Sequence, residues 1–175
     1  MIVILIVAAI IAIPFILALI TKKNYSIERN IVINRPKLVV FDYIKYLKNQ
    51  DYYSKWVMMD PTKKKSFRGT DGTIGFVYAW DGNKQAGKGE QEIINIKEGE
   101  RIDVEIRFER PFAAIAQAPF ILEELSENET RLKWGMSSTM NYPMNIILLF
   151  MDADKLLGKD LQTSLTTLKG ILENN

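Results

Sequence analysis

The residues of this chain best suited to chemistry are carboxylates, lysines and tyrosines, because it contains no His and no Cys. That absence excludes disulfides, thiol nucleophiles, zinc sites with their usual ligands, and every histidine-based triad or proton shuttle. Among the carboxylates spaced two residues apart, two pairs bear on chemistry. Glu90 and Glu92 follow the turn Gly87-Lys88-Gly89 and alternate with Gln91 and Ile93. A carboxylate buried on this strand would orient a ligand hydroxyl, or act as an acid or base if desolvation raised its pKa. The same alternation suits a solvated row of cross-strand ion pairs with Arg101, Arg107 or Lys133, and the pattern favours that reading. Asp152 and Asp154 fall in an expected helix, where a spacing of two sends them to different faces, so they are no metal pair. Gly87-Lys88-Gly89 lacks the full phosphate-loop pattern and opens no helix, so it reads as a turn.

The apolar residues offer a second kind of chemistry. Met136, Met144 and Met151, with Phe76, Tyr78, Trp80 and Trp134, would line an adaptable apolar pocket. They would serve equally well as solid core. The facing of Phe76, Tyr78 and Trp80 stays open, because Gly75, Val77 and Ala79 on the other face are also small or apolar. With 23 Lys+Arg against 21 Asp+Glu the net charge is only +2. Both signs are interspersed without a basic stripe, which gives no case for nucleic acid.

The elements that must position these residues follow from periodicity. Tyr25 to Ile33 alternates as a half-buried strand. Asn34-Arg35-Pro36 starts a helix carrying Val40, Phe41, Ile44 and Leu47, and a second helical turn covers Asp51 to Trp56. Strands follow at Lys63–Arg68 and Thr73–Trp80 around Gly69-Thr70-Asp71-Gly72, then at Gly89–Lys97 and Arg101–Phe108. In the last of these Ile102, Val104, Ile106 and Phe108 face one way, and Arg101, Asp103, Glu105 and Arg107 the other. Ala118–Leu125 and Arg131–Met140 form another hairpin. After Asn141-Tyr142-Pro143 one long helix is expected from Met144 to Leu172. Its apolar stripe runs through Ile147, Leu148, Met151, Leu161, Leu165, Leu168 and Leu172, and Gly158 marks a bend or a close approach.

Ahead of this stands a different kind of segment. Met1 to Ile20 contains no charged and no hydrogen-bonding side chain. As a helix it spans about 30 Å, the hydrocarbon thickness of a bilayer. A cleavable signal peptide would want a basic start and a small-x-small cleavage site, and neither is present. The expected organisation is a single-pass anchor at residues 1–20, a linker at 21–24 and one domain at 25–175. Lys22 and Lys23 place that domain on the cytoplasmic side by the positive-inside rule.

The order of elements, with certain short motifs, resembles the SRPBCC superfamily, the START-like helix-grip fold, and within it the polyketide cyclase/dehydrase and lipid-transport branch. The residues carrying the resemblance are Ile31-Val32-Ile33-Asn34-Arg35-Pro36 with Val40-Phe41, then Trp56, then Gly75-Phe76-Val77-Tyr78-Ala79-Trp80-Asp81-Gly82. Gly87-Lys88-Gly89-Glu90, Arg110-Pro111-Phe112, Lys133-Trp134 and the terminal helix complete it. The likeness covers Tyr25 to Leu172. The resemblance implies an α+β helix-grip fold: a curved antiparallel sheet of about seven strands wrapped on a long C-terminal helix, here with an N-terminal transmembrane helix added. It also implies a deep apolar cavity between sheet and helix. The lining candidates are Trp56, Phe76, Tyr78, Trp80, Glu90, Val104, Ile106, Phe108, Phe120, Trp134, Met136, Met144, Leu148 and Met151. The expected function is non-catalytic binding of a hydrophobic small molecule or lipid beside the membrane, without a cofactor or metal. A polyketide cyclase/dehydratase and a protein-interaction module like the chaperone-ATPase activators are the alternatives, since this fold hosts all three.

Overall fold

The structure is a computed structural model that describes residues 2–150 and 152–174, with side chains from Ile11 onward. Met1, Met151 and the side chains of residues 2–10 lie outside the described residues, and with them half of the expected anchor. The helices are α1 (Ile2–Ile20), α2 (Lys37–Ile44), α3 (Gln50–Tyr53), α4 (Ile147–Phe150) and α5 (Ala153–Asn174). The strands are β1 (Asn24–Ile33), β2 (Lys64–Arg68), β3 (Val77–Asp81) and β4 (Lys88–Lys97). They continue with β5 (Arg101–Arg110), β6 (Ala114–Gln117), β7 (Phe120–Ser126) and β8 (Glu129–Thr139). All pairings are antiparallel, in the order β1-β8-β6-β5-β4-β3-β2, with β7 also paired to β5 and β8. Strands β6 and β7 flank Ala118-Pro119 and share the same two neighbours.

Helix α5 lies across the concave face of this sheet, against β1. Gly158, Leu161, Ser164, Leu165, Leu168 and Leu172 are buried along it, a stripe at helical spacing. Gly158 marks a close approach. A Cβ there would meet the guanidinium of Arg29 on β1, which forms a two-pronged pair with Asp154 at 2.8 and 2.9 Å.

Two boundaries differ most from the expected ones, each for a local reason. The C-terminal helix is not continuous from Met144. A 3-10 turn at Met144–Ile146 leads into α4, and α5 starts afresh at Ala153. The restart is an N-cap: the Asp152 carboxylate accepts the Lys155 N–H at 2.9 Å, satisfying a first-turn donor that has no helical partner. Strand β3 starts at Val77 rather than Thr73. Gly75, inside the expected start of the strand, takes a φ of +84°, a left-handed conformation that regular strand does not accommodate.

Residues 21–24 are not a free linker. The buried Asn145 side chain donates to Ala18 O at 2.6 Å and to Thr21 O at 3.0 Å, satisfying carbonyls at the end of α1. Met140 N–H donates to Lys23 O at 2.7 Å. The last turn of α1 is thereby joined to the segment that precedes α4. Among the described residues no helix is long and apolar enough to cross a membrane.

Candidate functional site

Between the concave face of the sheet and the helices lies a cavity of about 260 Å³. That is just below the roughly 300–1,000 Å³ usual for small-molecule sites. Strand alternation selects what it sees. Tyr78 of β3, Gln91 of β4 and Ile106 of β5 stand in register across three strands and all face inward, while their neighbours Ala79, Glu90 and Arg107 stand in register on the outer face.

The expected lining residues divide accordingly. Trp56, Tyr78, Trp80, Val104, Ile106, Phe108, Phe120, Trp134 and Met136 line the cavity. Phe76 is buried beside it in the solid core, stacked on Phe67 at 6.2 Å. Glu90 is corrected to the outer face. There it pairs with Arg68 at 2.8 Å and accepts from Arg107 Nε at 2.9 Å. Arg68, then Arg107, hold its carboxyl below the usual carboxylate range, so it stays an ion in a surface network with Glu92 and Glu105. Met144 is exposed and borders a separate surface cleft, and Leu148 is half-buried on α4, because the break before α5 carries this stretch away from the cavity. Met151 lies outside the described residues.

Small residues on the inward phase keep space open. Ala118 and Ala86 line the cavity, and Gly89 lets the Trp80 indole lie over β4. A Cβ at Gly89 would stand 2.9 Å from that ring. Trp80 is fixed by its N–H to Ala86 O at 2.9 Å and by an edge contact with Phe108. Trp134 is the hub of the opposite wall. It stacks on Phe120 with centroids 4.7 Å apart and meets Tyr53 and Trp56 edge-on at 5.9 and 6.0 Å. Helix α5 sets the position of Trp56: Asp160 accepts its indole N–H at 3.2 Å, and Ser164 Oγ accepts the neighbouring Lys55 N–H at 2.9 Å. All three tryptophans of the chain face this one cavity.

The polar groups that periodicity did not single out gather around Gln91. Its amide donates to Gln50 Oε1 at 3.3 Å, and both side chains are buried. The Tyr78 hydroxyl donates to Asp51 at 2.7 Å, and the second Asp51 oxygen accepts from Lys65 at 2.7 Å. Burial, then that hydrogen bond, pushes the Tyr78 pKa up. Lys63, only 9% exposed, also lines the cavity. Burial, the largest influence, holds its ammonium below the ordinary lysine range. Gln91 had a legible signal, a polar residue in phase with Ile93. Lys63 had none, because it heads the run Lys63-Lys64-Lys65 and reads as solvated. Among the described residues no cluster of acidic groups could hold a metal ion.

No protein-family model matches the chain, and no curated protein matches it. Solved structures do. Norcoclaurine synthase from Thalictrum flavum is 8% identical with a TM-score of 0.65, covering 90% of this chain and 90% of that one. The Aha1 dimer from Colwellia psychrerythraea is 13% identical with a TM-score of 0.58, over 85% of this chain and 96% of that one. A structural-genomics protein from Chromobacterium violaceum is 14% identical with a TM-score of 0.59, again over 85% and 96%. At such low identity these likenesses speak to architecture alone, and on that they agree with the topology above: the chain has a helix-grip fold, an antiparallel sheet with a long C-terminal helix.

Proposed function

We propose that this protein binds a hydrophobic small molecule or lipid between its sheet and helix α5, without turning it over, at a membrane surface. The observation that carries the reading is the cavity wall: three tryptophans and a set of aliphatic and aromatic side chains, with a few polar groups gathered around Gln91. An apolar concavity with a few convergent polar groups is the usual form of a small-molecule site. Binding is favoured over turnover because no carboxylate lines the cavity among the described residues, and the Tyr78 hydroxyl is already engaged with Asp51.

The membrane part rests on α1 and its surroundings. Ile11, Ile13, Phe15, Ile16, Leu19 and Ile20 are exposed apolar side chains on one helix, a surface that calls for lipid or a partner. The segment joined to α1 through Asn145 is apolar too, with Leu149 and Phe150 exposed and Tyr142 against Phe15. In this reading α1, whose first half lies outside the residues with described side chains, completes a single-pass anchor, and Lys22 and Lys23 hold the domain on the cytoplasmic side.

Native mass spectrometry of the full chain, gently extracted from its host membrane, is expected to show a bound hydrophobic species. A clean apo mass with no uptake from lipid vesicles would contradict the binding reading. Carbonate extraction tests the anchor separately: the chain should stay with the membrane, and release would remove the anchor while leaving the cavity reading intact. Glu90→Gln, on the outer face, is expected to change ligand affinity less than twofold by titration. A loss of tenfold or more would return that carboxylate to the site and revive an enzymatic reading.

A further inference from the structure

The cavity carries an unbalanced charge. Lys63 is the single charged side chain among its described lining residues. The Lys63 ammonium donates to the Val57 carbonyl and makes no ion pair among the described residues. The two carboxylates that attract it, Asp51 and Asp60, are committed elsewhere. Asp51 accepts from Tyr78 and Lys65. Asp60 accepts from the Thr62 backbone and hydroxyl and from the Asn83 backbone. A buried cation without a hydrogen-bonded counter-ion is costly, and chains seldom keep one that nothing neutralises. Gln50 and Gln91 line the same cavity, the Gln91 amide donating to Gln50 Oε1.

Resting on the binding function proposed above, we infer that the ligand is an amphiphile with a single carboxylate head. Lys63 takes the head as counter-ion, and the wall around Trp80, Phe108 and Trp134 takes the apolar body. One ammonium with no second cation on the wall suits a singly charged carboxylate rather than a doubly charged phosphate. A neutral alcohol of the same length would leave the ammonium unpaired, and an amine would add a second positive charge. The discrimination therefore comes from a charge already buried before the ligand arrives.

The test uses the three cavity tryptophans as reporters. The full chain in amphipol is titrated at pH 7 with 8-bromooctanoate, 8-bromo-1-octanol and 8-bromooctylamine, whose bromine quenches indole emission on contact. The acid is expected to half-saturate at a concentration at least about tenfold below the alcohol, the scale of one charge-assisted hydrogen bond, with the amine weakest. In Lys63→Met, checked for folding by its thermal transition, the acid-to-alcohol ratio should fall close to one, while Lys63→Arg should keep most of it. Saturable quenching by acid and alcohol at equal concentrations in the unmodified protein would overturn the head-group inference and leave cavity binding standing. Absence of saturable quenching by all three would overturn both. Because the wild-type comparison decides the matter alone, a misfolded variant does not rescue the inference.

Discussion

Ala118→Trp should abolish ligand binding while the protein still folds. Ala118 is 2% exposed, and its methyl group lines the cavity on the inward side of the sheet. An indole placed there would occupy space the structure holds open with Ala118, Ala86 and Gly89. Overpacking a core costs typically about 1–3 kcal/mol, below the roughly 5–15 kcal/mol stability of a domain. For a chain of this size that lowers Tm by about 2–4 °C per kcal/mol. Binding, in contrast, loses its volume altogether, so affinity should fall at least about a hundredfold. Native mass spectrometry should show the bound species gone and the fold retained. Wild-type affinity in a folded Ala118→Trp protein would mean that the ligand sits elsewhere. The smaller Ala118→Leu gives a graded version if the Trp variant expresses poorly.

The second large effect is on stability. Trp134→Ala removes the ring that stacks on Phe120 and meets Tyr53 and Trp56 edge-on. Trp134 is 3% exposed, so the deletion leaves a cavity that the stiff neighbouring rings cannot easily fill. Truncations of this kind cost about 3–5 kcal/mol. Tm should fall by roughly 6–20 °C, measured by circular dichroism. A drop under ~2 °C would show that the aromatic cluster is looser than its geometry implies. The same deletion also merges with the existing cavity, so ligand addition should recover part of the lost Tm by mass action.

Much of the fold was legible because period and composition agreed. Along β5 the alternation of Ile102, Val104, Ile106 and Phe108 with charged residues could serve only one buried face. Strand β3 was harder. Tyr78 and Trp80 alternate with Val77 and Ala79, and Val77 is itself buried, so hydrophobicity could not choose a face. Register did so, by setting Trp80 opposite Gly89, where the missing side chain leaves room for an indole. The break before α5 hid behind an apolar run, Ile146 to Met151, that suits a helix throughout. Its one signal was Asp152, read there as a helical residue rather than as a cap. A helix continuous from Met144 would carry Met144 and Leu148 toward the cavity, and the break before α5 keeps them out of it.

The polar side of the site was the least legible part. Gln50 and Gln91 meet from elements 41 residues apart, and such pairs leave no trace in local periodicity. Lys63 lies beside two lysines on the edge of the sheet, and only the tertiary path of the chain turns it inward. Glu90 shows the reverse case. Its spacing and type suggested chemistry, yet Arg68 and Arg107 reduce it to part of a surface ion-pair network, of modest worth at that exposure. Residue type told which chemistry was possible, and the sheet's phase decided which of it reaches the cavity.

Everything above turns on a hydrophobic ligand occupying the space between sheet and α5. That occupancy is tested most directly by an experimental structure of the full chain purified with whatever it carries from its host membrane. Continuous density for an apolar molecule is expected against the rings of Trp80, Phe108 and Trp134, with its polar end toward Lys63. A cavity closed by repacked side chains, or a ligand bound only outside it, would contradict ligand binding between sheet and α5.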